Sequence, residues 1–439
     1  MSLIESQSGA VRWPVGKLVI GSTVAMLWGA MGLTLWSQIH VGYSKSSWQF
    51  SDWLINYQGG FVRRGLLGQL LLVANQRFGL DPYVVVLVVT LGAYVLLCAL
   101  AVIAAKKGRI PHALVPMSFA LGFPVFSNEW FRKDVLLVLL FILALTSLRL
   151  GNKSLRFGLV NAVAGLAILC HEAFVFIGLP ALIVCSMLLD STSVNLGSFR
   201  LVQSLKFLSP ALLVGLIVFA AKGNSQTAVA IWDSWKSVSF LPRGFAPPEI
   251  SGGGPQAAIE SIGWSSYRGF EITRGSLKTT YYGIPAIVGW ALTLTWVFFT
   301  AVAVASRKAV QGQAKLSPQQ TACLLGLVFS GTVPLYVIGL DYGRWIFLCV
   351  GVSFSTICLI PVATLAPFLD RVMSNFGSRI SKRQRVTKFV RKVSSALEWS
   401  TKKSSLFIVG SLFLAVPPAY WEAYESLMPV TLFVRGIFG

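Results

Sequence analysis

The chain has 439 residues, of which 55% are apolar and only 12% charged, with a formal net charge of +21 and a mean hydropathy of +0.70. Soluble domains carry about 25% charged residues, so an ordinary soluble fold is excluded; apolar runs of about 15 to 24 residues, nearly free of ionisable groups, mark membrane-spanning helices instead. The six cysteines all lie in or at the edge of those runs, so no disulfide framework is implied.

The first run, Leu18 to Trp36, follows Arg12 and Lys17. It is longer than a signal-peptide core and no convincing small-residue cleavage site precedes a soluble mature part, so it reads as a signal anchor. Further runs fall at 82–105, 110–127, 134–149, 157–171, 173–189, 207–222, 283–305, 321–339, 345–367 and 405–420. The expected fold is therefore an all-α polytopic membrane protein, one integral membrane domain over 1–439, with about eleven transmembrane helices and interfacial amphipathic helices. Several runs between 110 and 189 are short for a bilayer, which fits little tilt, local thinning or an arrest beside a cavity.

Lysine and arginine are retained on the cytoplasmic side. An N-terminus placed inside puts 23 of the 37 basic residues in inside segments, and 12 of the 16 acids outside. The basic charge is thus a topology signal. Nucleic-acid binding, which wants basic and aromatic residues interleaved on a soluble module, is not expected. The stretch Arg379 to Lys403, inside the basic segment 370–404, reads as a cytoplasmic amphipathic helix that anchors on anionic membrane lipids. A multi-pass membrane location with the N-terminus in the cytoplasm is what this charge distribution predicts.

In that topology the unusual polar residues all open onto the outer face. The first outer loop, 41–78, contains Asp52, a Gly59-Gly60 turn and then Arg63 and Arg64 at the start of an amphipathic helix expected over 62–74. Arginines at a helix N-terminus can seat phosphate; the same two could merely snorkel to headgroups. The second group is Glu129, Arg132, Lys133 and Asp134, where Glu129 could simply pair with Arg132 or Lys133. The third is Cys170-His171-Glu172, and the fourth is Asp341 with Arg344, three apart and able to close a hairpin. Ionisable groups near membrane depth are costly unless paired or hydrated. Ten of them on one face (Asp52, Arg63, Arg64, Glu129, Arg132, Asp134, His171, Glu172, Asp341 and Arg344) suggest one shared cavity. Adjacent Cys170, His171 and Glu172 do not make a zinc signature, and no metal site is assigned. The long outer segment 223–282, rich in proline and glycine, is expected to be loop-like, with Trp264, Tyr267, Arg268 and Arg274 suited to sugar faces or headgroups.

No GxGxxG, P-loop, HExxH, GxSxG or paired CxxC occurs. Arginines that can hold phosphate and carboxylates or a histidine that can move a proton suit a polyprenyl-phosphate-linked substrate. Arg63, Arg64, Arg132 and Arg344, with Glu129, Asp134 and Asp341, form the expected binding set; Asp52, His171 and Glu172 are the candidates for proton transfer. No cofactor is required, although a divalent cation on oxygen ligands is compatible with the set.

The stretch Asp52-Trp53-Leu54-Ile55-Asn56-Tyr57-Gln58-Gly59-Gly60-Phe61-Val62-Arg63-Arg64-Gly65-Leu66, ahead of a bundle of short spans, resembles the GT-C class of polyprenyl-phosphate-sugar-dependent glycosyltransferases. It is also similar to segments of O-antigen-polymerase-like proteins of bacterial surface-polysaccharide synthesis. The resemblance covers the topology and some 25 residues of motif. It implies that Asp52 is the catalytic base and that the donor is a lipid-linked sugar, with a glycan or lipid as acceptor. The chain departs in having Asp52 alone where many such enzymes have an acidic pair, and no soluble sugar-binding domain. The alternatives are an O-antigen-ligase-like enzyme relying on arginines and His171, a transporter or flippase for a lipid-linked or anionic solute, and a non-catalytic scaffold.

Overall fold

The computed structural model describes residues 15–41, 48–189, 198–236, 255, 257–278, 284–306, 315–339, 341–380, 384–418 and 424–438. Helices and turns account for all regular structure among the described residues. The longer helices are α1 (Val15–Val41), α2 (Gly65–Phe78), α3 (Pro82–Lys106), α4 (Asp134–Ser147), α5 (Lys153–Cys170), α6 (Ala173–Leu189) and α7 (Ser209–Ala220). They are followed by α8 (Ser225–Lys236), α9 (Ile284–Ala305), α10 (Pro318–Ile338), α11 (Tyr342–Leu359), α12 (Val362–Ile380), α13 (Gln384–Lys402) and α14 (Pro429–Phe438).

Five of these, α1, α3, α5, α9 and α11, are long and apolar enough to cross a membrane. The helix Ser198–Phe207 and α7, bent by 67° at their junction, make a sixth if the pair is one span; α4, α6 and α14 are apolar but shorter. Local chemistry sets the boundaries. Asp81 caps α3 by accepting from Tyr83 N at 2.7 Å, with Pro82 in the first turn where its missing N–H costs nothing. Ser317 and Gln320 form a reciprocal capping box at the start of α10.

Burial sorts the helices into inner and outer. In α11, 72% of the apolar window is buried, against 28% in α3 and 22% in α1. The inner helix α11 packs on α4, α6 and α10, and Gly351 lets it close on Val138 of α4. With 14 residues, α4 is about 21 Å long, shorter than a hydrocarbon core of about 30 Å. It is protected by the helices around it.

Three expected spans are not single helices: the run 345–367 breaks at Ile360-Pro361 between α11 and α12, and two others are more irregular. Residues 110–127 form a 3-10 turn, His112–Leu114, and a short helix, Gly122–Phe126, because Pro111, Pro116 and Pro124 interrupt the ladder. The segment nevertheless traverses the bundle: Arg109 bonds Cys358 O at the C-terminal end of α11, while Phe123 stacks on Phe347 one turn from its other end. Irregular backbone at that depth is tolerated because it is enclosed by protein. Residues 405–420 likewise reduce to the helix Ser404–Gly410, after which the chain turns and leads to Pro417-Pro418. There Val416 O accepts from Ser127 Oγ at 2.9 Å, and Pro418 O accepts from Gly343 N at 3.1 Å.

The expected helix 62–74 begins three residues later, at Gly65, since Arg64 adopts a left-handed φ of 66° that no helix interior allows. The segment 223–282 is not simply loop. It contains α8, Ala257–Glu260, a 3-10 turn at Ser261–Gly263 and a helix at Ser266–Lys278; much of its proline- and glycine-rich part, 237–254, lies outside the described residues. The basic helix appears as α12 and α13, and α13 packs on α9 and α10 through buried Leu397 and Ser400.

Candidate functional site

A second apolar cluster, separate from the main core, builds the platform for the site. Phe50, Trp53, Leu54, Ile55 and Val62 from the first loop pack with Trp130, Phe131, Ile231, Trp235 and Ile259. Polar clamps fix the register: Trp53 Nε1 donates to Phe131 O at 2.8 Å, Trp235 Nε1 to Leu54 O at 2.7 Å, and Ala258 N to Ser51 Oγ at 3.1 Å. The outer segment thus caps the first loop and stiffens it. Such aromatic burial with satisfied N–H groups is what pins a loop in one geometry.

On that platform Asp52 sits in a short 3-10 turn and is 4% exposed. Lys133, fully buried, reaches it twice, donating Nζ to the backbone oxygen at 2.8 Å and approaching Oδ2 at 3.1 Å. Arg64 Nη1 donates to Oδ1 at 3.1 Å. Burial by itself would raise the Asp52 carboxyl, but Lys133 and then Arg64 hold it well below the usual carboxylate range.

Arg64 is the hinge of the site. Its guanidinium also forks onto Glu172, with Nε 2.8 Å from Oε2 and Nη2 on Oε1, so one arginine ties the first loop to the break between α5 and α6. The left-handed backbone at Arg64 is a cost of the kind that collects at functional sites, here carried by this double pairing. Glu172 is likewise held low, its burial outweighed by Arg64. Arg63 is the loosest cation, with its side chain 41% exposed and 3.9 Å from Glu172.

His171 bridges to a second group. Its Nδ1 accepts from Ala173 N at 3.2 Å and lies 3.6 Å from Glu172 Oε2, while Nε2 is 3.5 Å from Arg344 Nη2. Burial, with Arg64 adding to it, lowers the imidazole to about 3, so the ring is neutral near pH 7. Arg344 grips Asp134 bidentately at 2.7 and 2.8 Å and reaches Asp341 Oδ2 at 2.6 Å. It therefore ties the N-terminus of α4 to that of α11. Arg132 pairs with Glu129, which also accepts from Gln49 Nε2 at 3.3 Å; burial pushes the Glu129 carboxyl up despite Arg132. Asp341, by contrast, is held low against its burial by Arg344 and then Arg132.

The structure brings all ten sequence candidates to one end of the bundle. Asp52, Arg63, Arg64, His171 and Glu172 are contiguous, and Asp134, Asp341 and Arg344 join them through His171; Glu129 and Arg132 stand at the margin as their own pair. Lys133 was missing from the candidate set. Its neighbour Arg132 takes Glu129 and leaves Lys133 to Asp52, a division that the run Arg132-Lys133-Asp134 does not announce. The cluster has no excess of positive charge: the five cations Arg63, Arg64, Arg132, Lys133 and Arg344 face the five carboxylates Asp52, Glu129, Asp134, Glu172 and Asp341. An incoming anion must therefore compete for a cation already partnered, and exposed Arg63 is the first it meets.

Among the described residues no group of three His, Cys, Asp or Glu side chains is arranged to hold a metal ion; the carboxylates turn to arginine and lysine. No protein-family model, curated protein or solved structure matches the chain.

Proposed function

We propose that this chain is a multi-pass, GT-C-like membrane glycosyltransferase or glycan polymerase. It takes sugar from a polyprenyl-(pyro)phosphate donor on the outer face of a bacterial cytoplasmic membrane and passes it to a glycan or lipid acceptor. The count of about eleven crossings then includes the short helices α4 and α6 and the broken segments 110–127 and 405–420. The observation that carries the reading is the convergence of Asp52, Arg64, Glu172, His171, Asp134 and Arg344, from four separated stretches of chain, at one end of an apolar bundle.

In this reading the donor phosphate engages Arg63 and then draws Arg64 from Asp52. Loss of one cationic partner raises the affinity of Asp52 for a proton, turning a weak base at rest into a competent one when donor is bound. Asp52 accepts the proton of the acceptor hydroxyl, whose oxygen bonds to the anomeric carbon. The bond from that carbon to the phosphate oxygen breaks, and the leaving phosphate keeps the electron pair against Arg63 and Arg64. Lys133 holds Asp52 in place, while Glu172 and His171 keep Arg64 oriented. No cofactor is needed for these steps, and a divalent cation would serve only to share the phosphate charge.

The charge balance of the cluster favours a second reading, a scaffold whose ion pairs only join helices. The test is the surface and lipid-linked glycan profile of a deletion strain complemented with wild type or Asp52→Asn at matched membrane abundance. Loss or shortening of a glycan, accumulation of lipid-linked precursor and failure of Asp52→Asn to restore the profile are expected. Full restoration removes Asp52 as base and leaves the ligase-like version carried by the arginines and His171. Unchanged glycans on deletion defeat the transferase reading and turn attention to transport.

A further inference from the structure

Along α11, from about one turn below Arg344 to the far end of the helix, α3, α4, α11 and the segment 110–121 line an apolar cavity of about 230 Å³. Leu97, Leu100, Ala104, Ile142 and Phe354 line it, and Leu100 and Ile103 of α3 are also 36% and 48% exposed on the outer surface of that helix. The cavity therefore opens sideways, toward the lipid that surrounds a spanning helix. A space so lined does not hold water well, since water needs polar partners.

Its length is informative. Along α11 the lining runs from Phe347 to Leu359, about 18 Å at 1.5 Å per residue. That is little more than half of a hydrocarbon core about 30 Å thick, the reach of one leaflet. A long polyprenyl chain would overrun it.

The rim is basic. The helix α3 ends in Lys106-Lys107-Gly108-Arg109, where Gly108 takes a left-handed φ of 67°. Gly108 N bonds Ala105 O at 2.9 Å and Arg109 N bonds Ala104 O at 3.0 Å, the turn that closes a helix C-terminus on glycine. The chain is thereby folded back over the cavity mouth. Arg109 Nη1 donates to Cys358 O at 2.5 Å, which fixes the guanidinium between α3 and α11. Lys107 and Arg109 both line the cavity, and among the described residues no carboxylate does.

We infer that this cavity is a binding site for one diacyl phospholipid with an anionic headgroup. One acyl chain lies in the cavity, the other on the exposed face of α3, and the phosphate sits at Lys107 and Arg109. The site is distinct from the proposed donor site, because its basic rim is at the opposite end of α11 from Arg344 and its length matches a single leaflet.

The experiment is native mass spectrometry of the full-length protein, delipidated in detergent and incubated with phosphatidylglycerol or phosphatidylcholine. One tightly retained phosphatidylglycerol is expected, with phosphatidylcholine lost under the same conditions. The double substitution Lys107→Gln with Arg109→Gln should weaken retention about thirtyfold, since each basic residue near an anionic headgroup is worth roughly a fivefold change. Ala104→Trp, which fills the cavity without touching charge, should lower retention as well. Lys106→Gln, the same charge change one residue outside the lining, should leave it intact. Unfolding midpoints without added lipid verify that the variants fold. Equal retention of phosphatidylcholine, equal loss with Lys106→Gln, indifference to both the rim and the cavity-filling substitutions, or displacement by an equimolar polyprenyl phosphate would each overturn the assignment.

Discussion

Replacing Lys133 tests whether Asp52 is held by design or merely crowded among charges. Lys133 is buried completely, contacts both the backbone oxygen and Oδ2 of Asp52, and lies 5.7 Å from the centroid of the Trp53 ring. Lys133→Met keeps the chain length and apolar stem but removes the charge. Asp52, 4% exposed, would retain only Arg64, which is itself shared with Glu172. Breaking a buried ion pair from one side costs about 3–5 kcal/mol, a large part of the roughly 5–15 kcal/mol that holds a typical fold. Asp52→Asn alone should cost a similar amount by stranding the ammonium. The double variant removes both charges, and buried pairs replaced together are often near neutral. It should therefore cost no more than the worse single variant, giving an interaction energy of at least about 3 kcal/mol, the upper end for residues in contact. Unfolding of the purified protein by SDS titration in mixed micelles measures all four states. Additivity of the two single changes within about 0.5 kcal/mol would refute the coupling and with it the positioning role of Lys133.

Two further outcomes follow from the same geometry. Burial holds the folded His171 down to about 3 while an unfolded histidine sits near about 6.5, so below about pH 6.5 the unfolded chain gains a proton that the folded chain refuses. The His171 contribution should make stability fall with falling pH, approaching about 1.4 kcal/mol per unit between roughly pH 6 and 5.5, above the range where the carboxyls Asp52, Glu172 and Asp341 begin to take up protons in the unfolded chain. His171→Asn should flatten that slope in the same SDS titration run at several pH values, and an unchanged slope would remove His171 as its source. Gly68 faces the first loop so closely that an added Cβ would fall inside the radius of Ile55 O and 2.8 Å from Trp53 O. Gly68→Ala should therefore destabilise by about 1–3 kcal/mol by pushing α2 off the Asp52 turn, and wild-type stability in this variant would show that the loop can yield.

The parts of this protein that could be read from the sequence are those where one residue type has one cheap solution. Long apolar runs uninterrupted in their interior became α1, α3, α5 and α9, and the run 345–367 became α11 only as far as Leu359, just ahead of Pro361. The runs at 110–127 and 405–420 are equivalent to these by hydropathy, yet Pro111, Pro116 and Pro124 break the first into short turns, and the second is helical only over Ser404–Gly410; enclosure by neighbouring helices makes such irregular backbone tolerable. The polar candidates were legible for a related reason. A charged group beside an apolar run needs a partner, and groups with the same need at the same end of a bundle find one another, as Arg344 finds both Asp134 and Asp341. Pair identity is a different matter, because it depends on which side chain faces which after the loops fold. Glu129 could take Arg132 or Lys133 by spacing alone; the buried aromatic platform of Trp53, Trp130 and Phe131 settles the choice by burying Lys133 beside Asp52. That platform is itself completed by Trp235 and Ile259, from a segment whose prolines and glycines pointed to an open loop. A distant stretch of chain thus sets the electrostatics of Asp52 without bearing any charge in the network. Changes at Trp235 would reach the site through Leu54 O and the turn that holds Asp52.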